Sequence, residues 1–246
     1  MKTLKILAIG NSFTQDPLRY LHGMAKLHGI NIKCVNLVIG GCSLERHYRN
    51  MLTPDKKAYS LELNGEPTGF FVSLAEALSS DQFDIVTLQQ ASHYSPLPDT
   101  YYPYIEKLAE YVRMFQPKAK LLVQKTWGYE DGSYRLTQEM GYTSHSEMYE
   151  AATATYDEAI AKIKADGSIP SGLGIKLGVD AGLKMHRDTF HASFGIGRYL
   201  LSLVWLETLT GLSALEDTYS DFDEPISRED LEKVRFAAHK ACQLSI

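Results

Sequence analysis

Short apolar runs alternate along the chain with longer stretches in which apolar positions return every three or four residues. The short runs read as buried strands and the longer ones as amphipathic helices. Strands are predicted over residues 2–9, 31–38, 84–88 and 120–125, with a weaker strand or turn near Ile169. They are rich in Val, Ile and Leu, as strands covered on both faces should be. Helices are predicted over 14–28, 101–115, 147–164, 194–210 and 228–244. Gly211 suits the end of one helix, and Ser227, with Asp230 three residues on, suits the start of another.

Strand and helix alternate in a way that predicts a parallel sheet with helices on both faces, a three-layer α/β/α sandwich. Two segments interrupt the alternation. Tyr59–Leu63, Asn64-Gly65 and residues 69–72 read as a β-hairpin with a type I′ turn, a small insertion at the domain edge. Residues 127–146 form a long irregular stretch after the fourth strand, and loops of that length are usually functional or disordered. With no linker or repeat in view, residues 1–246 are expected to form one domain.

Composition narrows the field. Hydrophobic residues make up 44% and charged residues 22% of 246 residues, enough for a large core without staples. A formal net charge of −5 gives no basic footprint for nucleic acid and no polybasic face for a membrane. The expected partner is a small or neutral molecule; no oligomeric state is implied. Cys34, Cys42 and Cys242 are too few for a disulfide framework and lack zinc-site spacing, so buried thiols are expected and no metal. No run is long enough to span a bilayer. Residues 1–10 (MKTLKILAIG) faintly resemble an export signal, but the apolar run is short and flows into the first motif, so it reads as a strand. As written, the chain is expected in the cytoplasm; a leader trimmed away would place it in the periplasm or outside.

Chemistry-bearing residues gather at predicted strand ends. Gly10-Asn11-Ser12 sits where the first strand meets the first helix, where free helix N–H groups favour negative charge; the bland alternative is a helix cap. No Gly-x-Gly-x-x-Gly loop stands there, which disfavours a dinucleotide cofactor. Asp188 and His191, three apart, can pair so that the carboxylate fixes the imidazole tautomer. Gly40-Gly41 follows the second strand and could offer a backbone N–H, or simply make a turn capped by Ser43. Gln89-Gln90 ends the third strand, where a side-chain amide could donate to an oxyanion or merely finish the strand. His93 lies near the same edge without a carboxylate partner, and Arg187 is a candidate contact for an anionic substrate. A nucleophile, an acid–base pair and two donor sites on one sheet edge satisfy the requirements of acyl transfer.

The order of these blocks resembles the SGNH (GDSL-like) hydrolase superfamily, in particular a gut-bacterial subgroup without assigned function. Gly10-Asn11-Ser12 matches its Gly-Asp-Ser turn, Gly41 (or Gly40) its glycine block, and Asp188 and His191 its Asp-x-x-His block. Leu88-Gln89-Gln90-Ala91-Ser92 departs from its Gly-x-Asn-Asp block and looks like the Gln-bearing block of sialate and carbohydrate acetylesterases. The resemblance implies a flavodoxin-like fold and a serine esterase with Ser12 as nucleophile and Asp188 and His191 as partners. It implies an oxyanion hole of the Ser12 and Gly41 N–H groups with Gln89, Gln90 being its neighbour. Trp127 and Tyr129, in an aromatic-rich segment, are the expected substrate-binding residues, suited to a sugar ring. The expected reaction is hydrolysis of a short-chain, acetyl-type ester, carbohydrate-borne, without cofactor. The alternatives are a non-catalytic carbohydrate-binding protein on the same scaffold and an acyltransferase.

Overall fold

The computed structural model describes residues 3–245. Five parallel strands form its centre: β1 (Leu4–Gly10), β2 (Ile32–Val38), β5 (Ile85–Leu88), β6 (Lys120–Gln124) and β7 (Gly167–Ile169). The hairpin β3 (Tyr59–Leu63) and β4 (Glu66–Val72) pairs antiparallel onto β2. The sheet is therefore mixed, with order β4-β3-β2-β1-β5-β6-β7, and the hairpin extends the main sheet at its edge. Asn64 and Gly65 both have positive φ (54° and 83°), as a type I′ turn requires.

Alternation along β1 shows how one strand feeds two cores. Ile6 and Ala8 join a cluster with α1 (Ser12–Leu27), α6 (Ser171–Asp180), α7 (Ile196–Thr210) and α8 (Arg228–Gln243). Leu7 and Ile9 join the opposite cluster, under α3 (Leu74–Ser79), α4 (Tyr104–Phe115) and part of α5 (His145–Ile163). A strand covered on both faces cannot alternate polar with apolar, and this one does not. The run that faintly resembled an export signal is thus a central strand, with Ile6 to Ile9 fully buried; Lys2 lies outside the described residues.

Caps explain several boundaries. Ser43 accepts from Arg46 N–H and starts α2 (Leu44–Leu52). Ser144 accepts from Glu147 N–H, so α5 begins two residues earlier than predicted. Ser227 caps α8, and Gly211 ends α7 in the left-handed region. The helix α6 escaped sequence reading because Gly172, Gly174 and Gly178 weaken its helix signal. Packing needs those glycines: a Cβ on Gly174 would lie 2.8 Å from Leu200 Cδ2 and 2.9 Å from Val204 Cγ2. No helix among the described residues is long and apolar enough to cross a membrane. All three cysteines are buried and unpaired, and burial raises their thiols to about 12, 12 and 11 for Cys34, Cys42 and Cys242.

Candidate active site

The carboxyl ends of β1, β2 and β5 meet at Asn11. This buried residue caps α1, its Oδ1 accepting from Phe13 N–H at 2.9 Å. The same oxygen accepts from Gln89 Nε2 at 2.6 Å, and Asn11 Nδ2 donates to the Cys42 carbonyl at 3.1 Å. One side chain therefore ties the turn before Ser12 to both neighbouring strand ends. Gly10 makes the junction possible: a Cβ there would lie 2.6 Å from Thr14 Cγ2 and 3.1 Å from Gln89 Cδ. Ser12 follows as the first residue of α1, where the helix N–H groups lack intrahelical acceptors and the dipole is positive.

The imidazole arrives from the other end of the chain. Residues 186–192 form a tight loop closed by a bridge between His186 and Ala192 and by Arg187 N–H donating to the His191 carbonyl at 3.0 Å. Within it Asp188 Oδ1 accepts from His191 N–H at 2.9 Å, and Thr189 takes a left-handed φ of 73°. Asp188 Oδ2 lies 2.7 Å from His191 Nδ1, and His191 Nε2 lies 2.7 Å from Ser12 Oγ. A carboxylate can only accept, so Nδ1 carries the hydrogen and Nε2 is left to accept from the serine hydroxyl. Burial pushes the Asp188 carboxyl upward, but hydrogen bonds from the His191 ring and backbone outweigh it and hold it below its ordinary value. Asp188 is therefore ionised at neutral pH.

Three long-range anchors hold this loop. Trp127 Nε1 donates to the Phe190 carbonyl at 2.8 Å, and Glu130 N–H donates to the Thr189 carbonyl at 2.7 Å. The third anchor is Asp16, fully buried on the same helix as Ser12. Its carboxylate accepts from Arg187 Nη1 at 2.9 and 3.1 Å, from Arg198 Nε at 2.9 Å and from Ala192 N–H at 3.2 Å. A buried carboxylate is tolerated only when charges and donors surround it in this way. Helix α1 thus carries both the serine and the anchor of the loop that delivers the imidazole.

Several expectations need correction. Gln89 and Gln90 are fully buried and neither lines the cavity beside Ser12. Gln89 spends its amide on Asn11. Gln90 donates to Thr100 O and Oγ1 at 3.0 and 3.1 Å while accepting from Leu44 and Ala91 N–H. They brace the site, and the expected glutamine donor to an oxyanion is not found. Trp127 also lies behind the wall, stacked on Phe13 at 4.1 Å between ring centroids. It supports the loop and does not face a substrate. Arg187 is committed to Asp16 and Ala192.

Ser12, His191, Gly40, Gly41, Tyr129 and His93 line one cavity of about 860 Å³. Its remaining walls include Phe13, Phe190, Tyr94, Leu97 and Met140, with Ser92 and Tyr129 paired at 2.9 Å between their oxygens. Gly41 has φ 59°, which explains its glycine, and an added Cβ would meet nothing within 4 Å. Arg135 and Glu139 come from a π-helical turn (Arg135–Glu139) that Met140 follows, within the irregular 127–146 segment, and none of the three was singled out from the sequence. The i,i+4 spacing of Arg135 and Glu139 was the available signal. Among the described residues, no three His, Cys, Asp or Glu side chains are grouped so as to hold a metal ion.

The sheet that carries Ser12, His191 and Asp188 at its carboxyl edge shares its fold with SGNH-like hydrolases. The chain belongs to the DUF4886 family, a domain of unknown function whose profile matches residues 5–241. It is similar to a DUF4886 family protein from Bacteroides uniformis, with 31% identity over 98% of this chain and 95% of that one, at a TM-score of 0.91. A proposed SGNH hydrolase from Slackia heliotrinireducens shares the fold at a TM-score of 0.61, with 22% identity over 84% of this chain and 98% of that one. The lipase/acylhydrolase from Enterococcus faecalis does so at 0.55, with 14% identity over 85% and 96%. No curated protein matches the chain.

Proposed function

We propose that this protein is a serine esterase of the SGNH type that removes a short acyl group, acetyl above all, from a carbohydrate or a molecule of similar size. The observation that carries the reading is the continuous relay of two 2.7 Å contacts from Asp188 through His191 to Ser12, opening into a cavity. Ser12 lies 179 positions from His191 and has no structural need to meet the Asp188–His191 pair in this way, and the alignment suits nucleophilic catalysis.

In this reading His191 Nε2 takes the Ser12 proton as Oγ bonds to the ester carbonyl carbon, and the carbonyl electron pair moves onto oxygen. Asp188 stabilises the imidazolium. The oxyanion is held by the Ser12 and Gly41 N–H groups, with Gly40 beside them at the cavity wall. The intermediate collapses, the C–O bond to the alcohol breaks, and the leaving oxygen takes the proton from His191. Water, deprotonated by His191, then attacks the acyl-enzyme; Ser12 recovers its proton and the acid departs.

The cavity volume falls in the range of small-molecule sites. Its aromatic walls, Tyr94 and Tyr129 among them, favour a sugar ring over a long acyl chain. The test is a chain-length series of 4-nitrophenyl esters. Acetate should turn over fastest, and Ser12→Ala should reduce the rate to background. Preference for the palmitate ester would refute the sugar reading, and turnover unchanged in Ser12→Ala would refute the mechanism.

A further inference from the structure

Arg135 rises from the π-helical turn at the cavity wall. Its guanidinium carbon lies 4.0 Å over the Phe190 ring, and the Phe190 centroid lies 3.9 Å from that of His191. A fixed positive charge therefore stands one aromatic ring away from the candidate general base. The Nε edge meets Glu139 Oε2 only loosely, at 3.4 Å, and neither Nη nitrogen has a hydrogen-bond partner among the described residues. Phe190 covers one face, so the Nη edge is left for a ligand.

Two histidines also line the cavity: His191 is engaged between Asp188 and Ser12, and burial, reinforced by the Arg135 charge, lowers the His93 imidazole below its ordinary value. An Arg–Glu pair on a solvated helix would be worth little and need no aromatic platform. Here the guanidinium is stacked on a ring of the loop that holds the base, in a cavity walled by Phe13, Phe190 and Met140.

We propose that Arg135 is the anion-recognition residue of this site, and that the natural substrate is an ester of a carboxylate-bearing small molecule. The proposal rests on the hydrolase reading for the word ester; the carboxylate preference stands on the Arg135 geometry. A carboxylate matches the single fork that remains, giving two parallel charge-assisted hydrogen bonds. A phosphate dianion fits less well, because Glu139 already offsets part of the one positive charge.

The experiment compares O-acetyl glucuronic acid with O-acetyl glucuronamide, its neutral isostere, in native protein and in Arg135→Gln and Arg135→Lys. The native protein should favour the acid at least tenfold in kcat/KM. Arg135→Gln should erase that ratio whatever it does to each rate alone, and Arg135→Lys, which keeps the charge but loses the fork, should restore part of it. Calorimetric binding of unacetylated glucuronate against glucuronamide reads the same ratio without turnover, so loss of hydrolysis and loss of anion recognition are told apart. An equal decline for both ligands in Arg135→Gln, a native ratio near one, or tighter binding of glucose 6-phosphate than of glucuronate would overturn the proposal.

Discussion

The two halves of the relay are held by opposite means. On the serine side the partners are near in sequence or sit at adjacent strand ends: Asn11 accepts from Phe13 N–H and from Gln89, and Thr14 Oγ1 donates to the Asn11 carbonyl at 2.7 Å. On the imidazole side the loop closes on itself between His186 and Ala192, and its outside supports come from far along the chain, with Asp16 lying 171 positions from Arg187 and Trp127 63 positions from Phe190. The loop also keeps Thr189 at φ 73°, a conformation that surroundings must impose on a β-branched residue. The serine is placed by a helix start and a sheet edge, whereas the imidazole is placed by tertiary structure.

Substitutions on the loop side should therefore reach activity through alignment, and those on the serine side through the turn itself. The largest effect is expected from Asp188→Asn, which keeps the loop shape but leaves the wrong imidazole tautomer. Turnover should fall by about 10⁴-fold in steady-state assays. Asp16→Ala comes next. It leaves Arg187 and Arg198 without their buried carboxylate, which should cost about 3–5 kcal/mol in urea denaturation. Turnover should drop on the order of 100-fold as His191 loses its register.

Gln89→Ala probes the serine side. As a brace, Gln89 should cost about 1–3 kcal/mol of stability, with a loss of turnover on the order of tenfold. A donor to the oxyanion would instead cost about 10²–10³-fold in turnover with stability unchanged. The smallest effect is a pH dependence. Burial, with a lesser contribution from neighbouring His145, lowers the His186 imidazole from 6.5 to about 4. The unfolded chain then binds the proton first, so stability is full above about pH 6.5 and declines as pH falls towards 4. His186→Gln should flatten that decline by on the order of 1–3 kcal/mol in urea midpoints measured across this window. A slope unchanged in the variant would assign the acid sensitivity elsewhere.

This division also sets what sequence could reveal. Ser12, Asp188 and His191 stood out because strand-end position and a three-residue spacing are local facts, and the structure brings the three together. The central strands and the Asn64-Gly65 hairpin were legible for the same reason. Gln89 and Gln90 pointed to the right edge of the sheet, but an amide there can face the cavity or the protein, and only packing decides. Asp16 gave no local sign of its role, because its partners lie at the far end of the chain. Trp127 was credited with a substrate contact on aromatic character alone, although its ring is buried behind Phe13. The helix α6 was lost among its glycines, which only the packed neighbours explain.

If His191 makes Ser12 Oγ nucleophilic, a fluorophosphonate probe should label that oxygen. Intact-mass and peptide mass spectrometry should then find one adduct per chain on the peptide bearing Ser12, abolished in Ser12→Ala and strongly slowed in His191→Ala. An unlabelled native protein, or an adduct that persists in Ser12→Ala, would rule that chemistry out.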